Sequence, residues 1–283
     1  MEVDVNLRAE NKILLIVTNM WIFLEEVSVL RQLYLETSDC TVYYAIDDSY
    51  NKQSNIRHRL LYDIDRQNLG YIPISFNTIA KLNFRVVIRP TFVYPETQLK
   101  LQSMHTNETI LVEEGIGDYF SRPLIDSPTF DWAFFTNPAK VTNRSHYINI
   151  KQLTINIPFM LQLMNYYMDV DKDVFDLPTK TPVLFTSPIE EDFGITDIEE
   201  RVTKFFNGKD VIIKKHPRDK IDWTFGQQCL TTCPGQFVMA RFSGPRYFIY
   251  PSTVAMHSTC ERTLLKLPNR IYPDTTGYTL LDI

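Results

Sequence analysis

The 283-residue chain is 44% hydrophobic and 22% charged, the composition of a folded protein with material for one large core or two smaller ones. Its net charge of −5 argues against a general nucleic-acid-binding surface, and no nucleic-acid partner is expected. Of the four cysteines (Cys40, Cys229, Cys233, Cys260), the pair Cys229/Cys233 lacks a matching Cys or His pair at zinc-finger spacing, which argues against a structural zinc. The N-terminus, MEVDVNLRAENK, has no signal-peptide apolar core, so reduced thiols and a cytoplasmic protein are expected.

KILLIVT (12–18) reads as a fully buried strand of the kind found in parallel sheets. Trp21, Leu24, Val27, Leu30 and Tyr34 then recur at helical spacing. The apolar run 13–27 is interrupted by Asn19 and two glutamates, and it is too short to span a bilayer. TVYYAID (41–47) is a second strand, a helix is expected around 56–69, and strands follow at 84–88, 109–115 and 132–135. Residues 137–181 break this rhythm. They hold one expected helix (158–168) and then a polar stretch in which Asp169 and Asp171 read as solvated linker charge.

The alternation restarts with a strand at 182–186. Thr196 to Glu199 forms a capping box opening a helix to Phe206, which Asn207-Gly208 stops. DVIIKK (210–215) is a strand ending at His216-Pro217. Residues 222–245 look irregular, 246–250 is a strand, a helix is expected from the Pro251-Ser252-Thr253 turn to about Leu265, and 270–272 is a last short strand. Strands alternating with helices imply parallel α/β organisation: an N-terminal domain 1–150, a helix-bearing linker 151–181 and a C-terminal domain 182–283.

Three clusters stand where such sheets present residues to a ligand. Glu113-Glu114-Gly115 follows a hydrophobic strand. A carboxylate there suits a general base, and solvated turn residues are the plainer alternative. His216 is followed by Pro217, which disfavours helix at the histidine, and Lys214, Lys215 and Arg218 surround it. An imidazole so placed can donate to a phosphate, and a basic loop is the plainer alternative. Strand alternation puts Lys214 and His216 on one face. Ser252-Thr253 offers two hydroxyls at a strand-to-helix turn, a phosphate site or an ordinary N-cap. There is no Gly-x-Gly-x-x-Gly, no Walker loop and no Gly-x-Ser-x-Gly elbow, and metal dependence is not suggested.

In this order the clusters resemble the bacterial sialyltransferases, of the capsule polysialyltransferase and lipooligosaccharide sialyltransferase type, over about residues 110–255. The resemblance implies a GT-B fold, an α/β architecture of two Rossmann-like domains facing a central cleft. It also implies inverting, metal-independent transfer of sialic acid from CMP-sialic acid to a hydroxyl of a bacterial surface polysaccharide or lipooligosaccharide. No cofactor is implied beyond that donor substrate. Carried over, Glu114 is the favoured base with Glu113 in support, and His216 acts on the departing phosphate. Ser252 and Thr253, with Lys214 and Arg218, hold that phosphate. Asp192 also follows a strand and is the rival acid or base. Against the resemblance, the chain is short for these families, and their nucleoside-contacting residues have no counterpart that can be placed. Another activated donor, such as Kdo or a different nucleotide sugar, and a noncatalytic glycan-binding subunit remain the alternatives. The acceptor, the linkage, a homodimer and peripheral attachment at the inner face of the plasma membrane are left open.

Overall fold

The computed structural model describes residues 11–33, 35, 39–47, 56–79, 81–90, 95–102, 104, 106–113, 129–142, 144, 146–187, 197–216, 219–230, 232–251, 261–267, 272, 275 and 277–283. The chain divides into two compact units, Met1–Leu163 and Met164–Ile283. The division falls inside a helix, Ile157–Val170, within the stretch that the sequence reads as a connection.

Unit 1 is built on β1 (Lys12–Val17), β2 (Thr41–Ile46), β3 (Ile72–Pro73), β4 (Phe84–Pro90), β5 (Thr106–Val112), β6 (Phe130–Phe135) and β7 (Tyr147–Gln152). They form one sheet in the order β3-β2-β1-β4-β5-β6-β7. All six pairings are parallel. Ile13 to Val17 of β1 are fully buried, as a central strand covered on both faces requires. Helix α1 (Met20–Gln32) starts directly after β1. Asn19 is its N-cap, and its Oδ1 accepts from the backbone N–H of Trp21 at 2.9 Å and of Ile22 at 3.0 Å. Leu24, Val27 and Leu30 are buried as their spacing predicts, and Glu25 and Glu26 are buried with them. Helices α2 (Ile56–Asp65), α3 (Phe76–Ile79) and α4 (Pro95–Gln102) complete the crossovers. Strand β7 is absent from the sequence reading. Four of its six residues are exposed, so it carries little of the apolar signal that marks a buried strand.

Unit 2 holds β8 (Val183–Phe185), β9 (Ile212–Lys214), β10 (Gln227–Cys229), β11 (Arg246–Phe248), β12 (Thr263–Lys266) and β13 (Thr279–Asp282), in the order β10-β9-β8-β11-β12-β13, again all parallel. Its helices are α5 (Ile157–Val170, which reaches in from unit 1), α6 (Lys172–Phe175), α7 (Ile198–Phe206) and α8 (Gly235–Arg241). Helix α7 ends where Asn207 (φ 42°) and Gly208 (φ 74°) turn left-handed, the stop read from the sequence. Its buried stripe of Ile198, Val202 and Phe206 packs in a cluster with Leu184, Ile213, Trp223 and Ile249. Three readings are corrected. Residues 263–266 are strand β12, not the end of a helix: Leu264 and Leu265 are fully buried, and the strand pairs with β11 on one side and β13 on the other. The stretch 222–245 contains β10 and α8, whose three and seven residues are too short to show a period. Asp171 is not solvated linker charge but a buried residue between α5 and α6. Gly244 shows how tightly β11 enters: a Cβ there would lie 2.2 Å from the Lys180 carbonyl oxygen.

Numbered from its first strand, the sheet of unit 2 runs 3-2-1-4-5-6, the doubly wound Rossmann order, and that of unit 1 runs the same with a seventh strand added beside the sixth. The switch points are β1/β4 in unit 1 and β8/β11 in unit 2, and ligands of such sheets bind outside the strands' C-terminal ends there. No helix of the described residues is long and apolar enough to cross a membrane.

Candidate functional site

In unit 1, Glu113 is the first residue past β5, behind the fully buried Ile110-Leu111-Val112. Its side chain stays inside, 5% exposed. Thr136, the first residue past the neighbouring β6, holds both carboxylate oxygens. The Thr136 backbone N–H donates to Oε2 at 3.0 Å, and its hydroxyl donates to Oε1. Two donors on one buried carboxylate fix its orientation. On the other side of β5, Arg89 of β4 is 2% exposed. It donates to Gln98 Oε1 at 2.7 Å and lies 4.8 Å from the centre of the Phe130 ring. Burial pushes its guanidinium pKa down to about 10. Asp47, just past β2, is buried and accepts from the Thr97 hydroxyl at 3.1 Å. The C-terminal edge of this sheet thus carries Asp47, Arg89, Glu113 and Thr136. Glu114 and Gly115 lie outside the described residues.

In unit 2, β8 and β9 end side by side. The Thr186 backbone N–H donates to the Lys214 carbonyl at 3.2 Å. One step further, the His216 backbone N–H donates to the Thr186 hydroxyl at 2.9 Å. The ladder is therefore extended beyond both strands, with a hydroxyl standing in for a carbonyl. His216 is exposed, while its backbone is held on both sides, because its carbonyl accepts from the Asp219 N–H at 2.9 Å. Asp219, itself buried, accepts from the Ile221 N–H at 3.0 Å and from Trp223 Nε1 at 2.8 Å, which anchors the chain at Asp219.

Both neighbouring lysines make local hydrogen bonds. Lys214 is 6% exposed and donates to the Lys215 carbonyl at 2.9 Å, and Lys215 donates to the Ile221 carbonyl at 2.7 Å. Lys214 lies on β9 between β8 and β10, and its side chain is drawn inward. Arg218, Ser252, Thr253 and Asp192 lie outside the described residues. Across the switch point, Tyr250 follows β11 and packs on Tyr272, ring centres 6.0 Å apart. The Tyr272 hydroxyl accepts from the Leu267 N–H at 3.0 Å at the end of β12. Thr136, Thr186 and this tyrosine pair carry no motif of their own, and only strand order brings them to the sheet edges.

A shallow polar hollow of about 350 Å³ in unit 1 is lined by Arg85, Asn107, Glu108, Asp131, Trp132 and Asn149. These residues belong to the N-terminal halves of β4–β7, the end opposite to where such sheets bind ligands. Asp131 there is already engaged by the Thr109 N–H at 2.8 Å.

No protein-family model and no curated protein matches the chain. Among solved structures, the chain is similar to E. coli ADP-heptose LPS heptosyltransferase II. The identity is 9% over 96% of this chain and 90% of that one, with a TM-score of 0.37. It is also similar to E. coli heptosyltransferase WaaC with ADP, at 10% identity over 96% of this chain and 93% of that one, with a TM-score of 0.36. Likeness at this level assigns neither a donor nor an acceptor.

Proposed function

We propose that this protein is a GT-B-type glycosyltransferase that transfers a sugar from a nucleotide-activated donor, and that the donor is CMP-sialic acid and the acceptor a hydroxyl of a bacterial surface glycan. One observation carries the reading. His216 is exposed at the C-terminal end of β9, next to the switch strand β8, and its backbone is fixed by Thr186 and Asp219 while its side chain reaches solvent. That is where a doubly wound sheet receives a nucleotide, and an imidazole there suits a departing phosphate. The sialyl donor is favoured by the order of Glu113-Glu114-Gly115, His216-Pro217 and Ser252-Thr253 along the chain.

In this reading His216 protonates or hydrogen-bonds the leaving phosphate, and Ser252, Thr253 and Arg218 add donors to it. Glu114 takes the proton of the acceptor hydroxyl, since Glu113 is already committed to Thr136 and serves as its buttress. Transfer is inverting, and the proposed mechanism takes no metal or further cofactor into the chemical step. Asp192 is the rival acid or base. A second reading keeps the same groups with another activated donor, because an imidazole at a strand end recognises phosphate rather than sugar.

The test is release of nucleotide from a panel of donors in the presence of lipooligosaccharide or capsule acceptors. Turnover of CMP-sialic acid above all others supports the first reading, and preference for a different donor supports the second. No turnover with any donor, together with measurable glycan binding, overturns both in favour of a glycan-binding subunit.

A further inference from the structure

Outside that site, unit 2 gathers three metal-ligating side chains from segments far apart in sequence. Asp171 sits in the turn between α5 and α6, Cys229 is the last residue of β10, and Cys233 directly precedes the Pro234 that leads into α8. All three are buried, at 8%, 3% and 1% exposure. One carboxylate oxygen and the two sulfurs lie within 4.8 Å of one another. Cys229 Sγ is 3.4 Å from Asp171 Oδ2, which also accepts from the Leu230 N–H at 3.2 Å.

We propose that Asp171, Cys229 and Cys233 form a buried structural site for a thiophilic divalent cation, zinc above all. Tetrahedral zinc with bonds of about 2.0 Å to oxygen and about 2.3 Å to sulfur places these ligand atoms about 3.5–3.8 Å apart, so small side-chain shifts complete the set. The hydrogen bond from Leu230 orients the carboxylate, the role that outer partners play at metal centres. Charge also balances. Two thiolates and a carboxylate leave a bound dication at −1. Lys214, also buried, is paired in register with Cys229 and supplies the compensating positive charge. The fourth position falls to water. Thr232, next to Cys233, has a buried hydroxyl with no hydrogen-bond partner and so has capacity to receive one. The site is closed and lies on β10, at the sheet edge, where a cation would tie the edge strand to the α5–α6 turn. Sequence spacing hides it because the third ligand comes from 58 residues upstream of Cys229.

The full chain, loaded with zinc or cobalt(II) and then dialysed, is expected to retain about one metal per chain by elemental analysis, and the cobalt form to show thiolate charge-transfer absorption. Cys229→Ser and Cys233→Ser should each lose the metal. Asp171→Asn should weaken retention at least tenfold, and Cys40→Ser should leave it unchanged. A wild-type chain that retains no metal overturns the proposal. So does a Cys229/Cys233 double variant that still retains it, or a Cys229–Cys233 disulfide found by mass spectrometry in the freshly purified chain. None of these outcomes depends on which donor the protein uses.

Discussion

The two units share a strand order and also a device, used in opposite ways. In each, a threonine one residue past a strand holds the residue that leaves the neighbouring strand. Thr136 grips the side chain of Glu113, so that the carboxylate is buried with both oxygens engaged. Thr186 grips the backbone of His216, so that the chain is fixed and the imidazole is presented. The same residue type, one residue past its strand in each unit, therefore makes a buttress in one and a presented group in the other. What decides is whether the hydroxyl donates to a side chain or accepts from a main-chain N–H.

The largest expected effect breaks the presented half. His216→Ala should lower nucleotide release about 10²–10⁴-fold, the usual contribution of a proton-transferring group, with an unchanged circular dichroism spectrum and melting temperature. Near wild-type turnover would remove His216 from the mechanism.

Next comes the buttress. Thr136→Val removes a hydrogen bond to a buried charge and should destabilise the fold by about 1.5–3 kcal/mol in denaturant titration. Turnover should fall with it, because Glu114 follows the residue that loses its anchor. Equal stability in the variant would mean that the carboxylate finds other donors. Glu113→Gln sharpens the point. The amide can satisfy only one of Thr136's two donors in the same pose, so a loss of about 1–2 kcal/mol is expected.

The smallest effect belongs to Thr186→Val, which removes a neutral acceptor from one backbone N–H at a partly open strand end. It should cost about 1 kcal/mol of stability. Its turnover loss should be smaller than that of His216→Ala and should show mainly in kcat, because a misaimed imidazole impairs the chemical step more than donor binding. An effect as large as that of His216→Ala would give the threonine hydroxyl its own contact with substrate.

The doubly wound character was legible because it rests on long buried strands. KILLIVT and TVYYAI announce themselves by their hydrophobicity, and Asn207-Gly208 stops a helix as its backbone chemistry demands. Shorter or half-exposed pieces were not legible. Strand β7 shows water four of its six residues, and β10 has only three residues, which is too few for a period. At the site, Glu113 and His216 could be picked out because each ends a recognisable strand. Their threonine partners could not, since nothing in the sequence says which strands are neighbours. Asp171 was missed for the opposite reason: a charged residue is read as solvated by default, and this one is drawn inside by the turn that carries it.

All the strand pairings in both sheets are parallel, and that bears on how the chain reaches its native state. There is no hairpin among them to act as a fast local nucleus. Each strand meets its partner only after an intervening crossover has been closed, at an entropic cost incurred before any ladder bond repays it. Refolding from denaturant should therefore be slow for a chain of this length, and at high protein concentration the half-assembled sheets should aggregate in competition with it.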